Sequence, residues 1–170
     1  MKPIEFYYNL VKTLYGETKA ERSKVPYMNH IDEGLQILDY IDADNATKSA
    51  YCIHPIFQIP KNLKQLIADK LYDQIDQKVL LLAMEYRNKA NAYVCRPRTD
   101  NYTIENLPYM VLPEVTAMLI ADKVQNYKDF LQYHKNSHPR SKELDKYFNL
   151  WFKHLHIDYT QIANTVFPKG

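Results

Sequence analysis

With three glycines in 170 residues, this chain can make few turns that need positive φ. Sheets joined by tight hairpins draw heavily on such positions, whereas helices joined by short loops need few of them. The apolar periodicity agrees with helices. Over residues 3–15, Ile4, Tyr8, Val11 and Leu14 or Tyr15 recur on one helical face, with Pro3 in the first turn and Gly16 as the stop.

The same reading continues down the chain. Residues 17–26 are charged and read as a loop, and the spacing predicts a helix over 28–40 with Ile31, Leu35 and Leu38 inward. A short apolar helix over 46–53 should end or kink at Pro55. Pro60 opens another, with Leu63, Leu66, Ile67 and Leu71 on one face. Residues 76–91 follow, including the buried-looking run Val79-Leu80-Leu81-Leu82-Ala83-Met84. Residues 95–108 have no period and read as a long loop. A strong helix covers 113–133, with Val115, Leu119, Val124 and Tyr127 or Lys128 tracking its faces. The stretch 137–139 breaks it, and 141–154 is amphipathic with Leu144, Phe148, Trp151 and Phe152 inward. Residues 157–170 read as a short helix and a frayed end. Strand-like alternation is nowhere sustained, and neither a repeat nor a linker divides the chain. The expectation is an all-α, single-domain, irregular helical bundle spanning 1–170.

Charge and cysteine usage exclude some classes. A net charge of +2 is too small to imply a nucleic-acid or membrane partner. No stretch is apolar and long enough to cross a bilayer, and the first residues lack the apolar core of a signal peptide. Cys52 and Cys95 have neither metal-type nor redox-type spacing, so two reduced thiols and a cytoplasmic location are expected. His134, His138, His154 and His156 read as surface or loop residues. Met84, Met110, Met118 and Trp151 read as core. Oligomeric state is not legible.

Four residues carry candidate chemistry. His30 stands at a helix start and His54 at a helix end, while Asp122 and Asn126 share one face of the long helix. Histidine and aspartate on facing helices are how bundles build metal sites. The surrounding segments sharpen this. Val25-Pro26-Tyr27-Met28-Asn29-His30 resembles the Pro-Tyr-x-x-His entry of the (p)ppGpp hydrolases, which are HD-domain phosphohydrolases. Ala50-Tyr51-Cys52-Ile53-His54 is similar to the segment that ends in that family's His-Asp dyad. Leu119-Ile120-Ala121-Asp122-Lys123-Val124-Gln125-Asn126 resembles its Leu-Ala-Asp-Lys-Leu-x-Asn helix, and Tyr147-Phe148 matches a Tyr-Phe on the next helix. The segments come in the family's order and span residues 20–155.

The resemblance implies an HD-domain fold and a divalent metal, manganese in the family, held by His30, His54 and Asp122. It implies substrate contacts from Asn126 and Tyr147, with Arg22, Lys24 and Lys123 as basic groups beside a phosphorylated nucleotide. The reaction it implies is removal of a 3′-pyrophosphate, the metal lowering the water's pKa and neutralising the leaving group. This chain departs from the pattern within one stretch. Pro55 replaces the dyad's aspartate, and Gln58 and Ile59 stand where an acidic pair should assist the water. Three anionic groups are thus replaced, and the family's reaction by its usual route is expected to be impaired.

Three readings follow. In the first, the chain keeps a phosphorylated nucleotide in the old pocket without efficient chemistry. In the second, an active hydrolase acts on a different phosphorylated nucleotide, with a substitute carboxylate from Asp32, Glu33, Asp69 or Asp73. In the third, the bundle is a non-enzymatic interaction protein, with His30 and His54 hydrogen-bonded to neighbours and side chains such as Phe57 filling the pocket.

Overall fold

The structure is a computed structural model and describes residues 1–21, 23–94 and 112–168, with the backbone alone for 91–94. Arg22, Cys95, Met110, the expected loop over 95–108 and the last two residues of the tail lie outside the described residues. Among the described residues there are eight α-helices and no strand.

Helix α1 (Ile4–Tyr15) starts behind Pro3 and ends on Gly16, whose φ of 50° lets its amide turn back to the Lys12 carbonyl. The loop that follows folds on itself. Ala20 and Tyr27 donate their amides to the Val25 and Thr18 carbonyls, and this small hairpin feeds α2 (Met28–Tyr40). Helix α3 (Asn45–Gln58) is capped by Asp44, whose carboxylate accepts from the Thr47 amide at 2.7 Å and its hydroxyl at 2.6 Å. Pro60 opens α4 (Pro60–Ala68), and a 3₁₀ turn over Tyr72–Gln74 leads into α5 (Gln77–Val94). Helix α6 (Pro113–Asp129) widens into a π turn over Phe130–His134. Helix α7 (Ser141–Leu155) ends at left-handed His156, and α8 (Tyr159–Val166) is capped by Asp158.

Two helices form the interior. Helix α3 packs against α1, α2, α4, α5 and α6, and α6 packs against α2, α5, α7 and α8. Apolar side chains on nearly every face of a helix require that all-round burial. From Ala50 to Phe57, each side chain of α3 is buried. A single apolar cluster draws on all eight helices.

Three expectations need correction. Pro55 does not end α3, which continues to Gln58. Leu81 and Met84 are exposed, because the face of α5 turned to the core carries Val79, Leu82, Ala83, Tyr86 and Ala90 instead. A run of apolar residues advances about 100° per residue and so circles the helix. For the same reason Ile67 faces outward while Leu66 is buried; on α1 it is Tyr15, not Leu14, that packs against the core. No helix among the described residues is long and apolar enough to cross a membrane.

Polar groups in this interior are few. Among the described residues, the buried polar and charged side chains are Thr47, Ser49 and His54 on α3, and Asp122, Lys123 and Gln125 on α6. Burial of such groups is costly unless they are paired. Their concentration on the two central helices locates the candidate site.

Candidate metal centre

His30 lies in the first turn of α2, His54 in the last turn of α3, and Asp122 midway along α6. Their side chains meet. His30 Nε2 is 3.2 Å from His54 Nε2 and 3.5 Å from Asp122 Oδ1. One donor atom from each residue lies within 4.8 Å of the others, and the three form the one such cluster among the described residues. Two ligands on a single ion with bonds of about 2.0–2.2 Å stand roughly 3–3.5 Å apart. The two spacings from His30 Nε2 fall in or at the edge of that range.

Hydrogen-bond accounting fixes how the rings are oriented. The amide of Gln125 donates from Nε2 to Glu33 Oε2 at 3.1 Å and to Asp129 Oδ2 at 2.9 Å. A carboxylate only accepts, so the Gln125 amide has one sensible orientation. Its Oε1 then faces His30 Nδ1 at 2.7 Å and must accept a proton from it. His54 Nδ1 is 2.5 Å from the Tyr51 carbonyl, another obligate acceptor, so it too donates. Burial, and then the neighbouring His30, pushes His54 down to about 3, which keeps this imidazole neutral. Its Nε2 is therefore a lone pair aimed at His30 Nε2. His30 Nε2, the other nitrogen of a ring whose Nδ1–H goes to Gln125, faces that lone pair at 3.2 Å. A histidine that ligates metal commonly gives its other ring N–H to a carbonyl in this way.

Asp122 is held from two sides. Lys123 Nζ donates to Oδ2 at 2.7 Å, and Asn126 Nδ2 donates to Oδ1 at 2.8 Å. Burial pushes the carboxyl up, but the Lys123 ammonium beside it more than offsets that and Asp122 is held at about 2. Burial pushes Lys123 down, and Asp122 more than offsets that, so the ammonium stays charged. It sits 5.1 Å from the Trp151 ring and 5.7 Å from the Tyr147 ring.

In the surrounding shell, sequence reasoning missed Tyr51 and Tyr86, and it named Glu33 only as a substitute carboxylate. Tyr51 lies across α2 with its hydroxyl 3.3 Å from the His30 carbonyl. It fits because residue 34 is glycine: a Cβ there would meet the Tyr51 hydroxyl at 2.1 Å. The Tyr86 ring packs edge-on against His54 at 4.8 Å, its buried hydroxyl facing Asp122 without reaching hydrogen-bonding geometry. Glu33 pairs with Lys128 while orienting Gln125. Gly34, at one turn's spacing from His30, was the available sequence signal for a close approach.

A groove of about 460 Å³ opens beside the cluster, with His30, Asp122, Lys123, Asn126, Gln58 and Ile59 in its lining. That volume suits a small-molecule ligand. Phe57 is fully buried and does not line it. Tyr147 reaches the site through Lys123. Lys24 is exposed at φ 60° and does not line the groove, while Arg22 is outside the described residues. Asp32, Glu33, Asp69 and Asp73 do not belong to the cluster. Asp32 instead accepts from Tyr8, and Asp69 from Gln65.

Comparison with known proteins returned no matching family model, no matching curated protein and no matching solved structure.

Proposed function

We propose that this chain is a degenerate HD-domain phosphohydrolase of the (p)ppGpp-hydrolase type. It binds a divalent metal through His30, His54 and Asp122, and a phosphorylated nucleotide in the adjoining groove. The observation that supports this is the convergence of those three side chains with both Nδ1–H groups directed outward. Two imidazoles and one carboxylate are a recognised facial donor set, and they suit zinc, cobalt or ferrous iron better than manganese. When bound, such an ion supplies positive charge for a phosphate oxygen and lowers the pKa of a bound water.

The chain's own residues divide the remaining work. Asn126 and Lys123 hold the Asp122 carboxylate in place, Gln125 holds His30, and the groove admits the ligand. No carboxylate stands at positions 55, 58 or 59 to take a proton from an attacking water. Loss of such a group costs about 10²- to 10⁴-fold in rate. Binding without efficient turnover is the resulting expectation.

Calorimetric titration of the metal-stripped chain with Zn²⁺ and Mn²⁺ tests this. One site per chain is expected, lost in His30→Ala, together with a melting-temperature rise on adding guanosine or adenosine polyphosphates. Stoichiometric binding that survives His30→Ala would sink the assignment.

One observation favours a second reading, that of a metal-free interaction scaffold. His30 Nδ1, His54 Nδ1 and both Asp122 oxygens already have partners within the chain. That reading requires a flat calorimetric trace for every divalent ion and no thermal shift with any nucleotide.

A further inference from the structure

Helix α3 passes through Pro55 without stopping, and the hydrogen-bond ledger there is unusual. In a regular helix the Tyr51 carbonyl would accept the amide proton of residue 55. Proline has no such proton, so that acceptor loses its normal donor. The oxygen is taken instead by His54 Nδ1, at 2.5 Å. The one backbone acceptor that the proline leaves unused is thus the acceptor that orients the buried imidazole.

The rest of the pocket fixes the ring plane but not the tautomer. Tyr51 and Tyr86 pack against His54 with ring centroids 4.7 Å and 4.8 Å away, and neither side chain bonds to Nδ1. The Tyr51 carbonyl is the one acceptor seen on that nitrogen. His30 reaches the same state by other means, giving its Nδ1–H to Gln125.

We propose that Pro55 is a positioning residue: by leaving the Tyr51 carbonyl without a helical donor, it locks His54 as the Nδ1–H tautomer with its Nε2 lone pair aimed at His30 and Asp122. The use of that lone pair on a metal rests on the function proposed above, whereas the lock itself does not. On this account the residue in the place of the family's aspartate orients a donor rather than supplying one.

The test uses Pro55→Ala in the full-length chain. Alanine restores an amide that competes for the Tyr51 oxygen, and it removes a proline from a helix interior, so the variant should fold at least as stably as the parent. Nitrogen-15 correlation spectra of the imidazoles in the metal-free chain report the tautomer directly. The parent should show a single Nδ1–H form of His54, and Pro55→Ala should show a mixture or the Nε2–H form. Zn²⁺ affinity should fall by about 10- to 100-fold, as when a group that orients a ligand is lost, while melting temperature holds or rises. L-lactic acid at position 55 carries alanine's methyl but an ester oxygen in place of the amide, and it should restore the parent's spectrum and affinity. An unchanged His54 tautomer in Pro55→Ala overturns the inference. A tautomer shift in a chain that takes no Zn²⁺ at all overturns the metal-binding reading instead and leaves the positioning role standing.

Discussion

At the residue scale, Lys123 occupies a place that an external cation would compete for. It is buried, bonded to Asp122 Oδ2 at 2.7 Å, and screened from solvent by Trp151 and Tyr147. Removing one partner of such a pair typically costs about 3–5 kcal/mol, because the other charge stays buried without compensation. Lys123→Met should therefore destabilise the metal-free chain strongly in urea denaturation. The same change frees Asp122 for an incoming ion, so Zn²⁺ should stabilise Lys123→Met by a larger margin than it stabilises the parent. Equal margins would mean that the carboxylate does not face the metal position. Tyr86→Phe is the opposite case: it removes a buried hydroxyl that makes no hydrogen bond, and stability should rise, by up to about 1–3 kcal/mol. His30, His54 and Asp122 were legible because their types and neighbouring motifs are distinctive. Gln125, Tyr51 and Tyr86 were not, since glutamine and tyrosine serve many roles and only the packed helices decide where they point.

At the element scale, α2 and α3 meet through a contact that one atom would block. A Cβ on Gly34 would lie 2.1–2.3 Å from the Tyr51 ring and hydroxyl. Alanine is favoured over glycine in a helix by about 1 kcal/mol, yet forcing Tyr51 aside should cost about 1–3 kcal/mol. Gly34→Ala should thus lower stability and also weaken metal binding, since Tyr51 carries the carbonyl that holds His54. A stabilised variant with unchanged affinity would refute this. The start of α3 gives a pH-dependent prediction. Burial pushes the Asp44 carboxyl up, but the Thr47 hydroxyl and amide, and then Lys78, hold it lower, at about 2. A carboxyl depressed in the folded state stabilises it above the unfolded pKa of about 3.9, and that contribution fades as pH falls toward the folded value. Asp44→Ala should cost about 0.5–2 kcal/mol at pH 7, the usual worth of a cap, and the gap from the parent should shrink between pH 4 and 2. The periodicity made most helix bodies readable. It missed the continuation of α3 past Pro55, because the rule that proline ends a helix assumes no side chain will use the carbonyl it strands.

At the scale of the whole molecule, electrostatics sets the order in which the groove can be filled. Among the described lining residues the fixed charges are Asp122, Asp129 and Lys123, two carboxylates against one ammonium. Lys24, expected beside the phosphates, does not line this surface. Of the expected basic groups that are described, Lys123 alone lines the groove, and it is already committed to Asp122, because residue type alone does not say whether a charge faces a groove or solvent. Without a cation the described lining opposes an anion. A divalent ion at the histidine–aspartate cluster reverses the sign, turning one excess negative charge into one excess positive charge. Inorganic pyrophosphate should therefore bind only after the metal. In chelator its calorimetric signal should vanish, and with saturating Zn²⁺ or Mn²⁺ it should appear and weaken as salt rises from 50 to 500 mM, since screening acts most on partly exposed charges. Loss of the pyrophosphate signal in Asp122→Asn with metal present would tie the anion to the cluster. Equal binding with and without metal would place the anion elsewhere on the molecule and remove the basis for a metal-led nucleotide site.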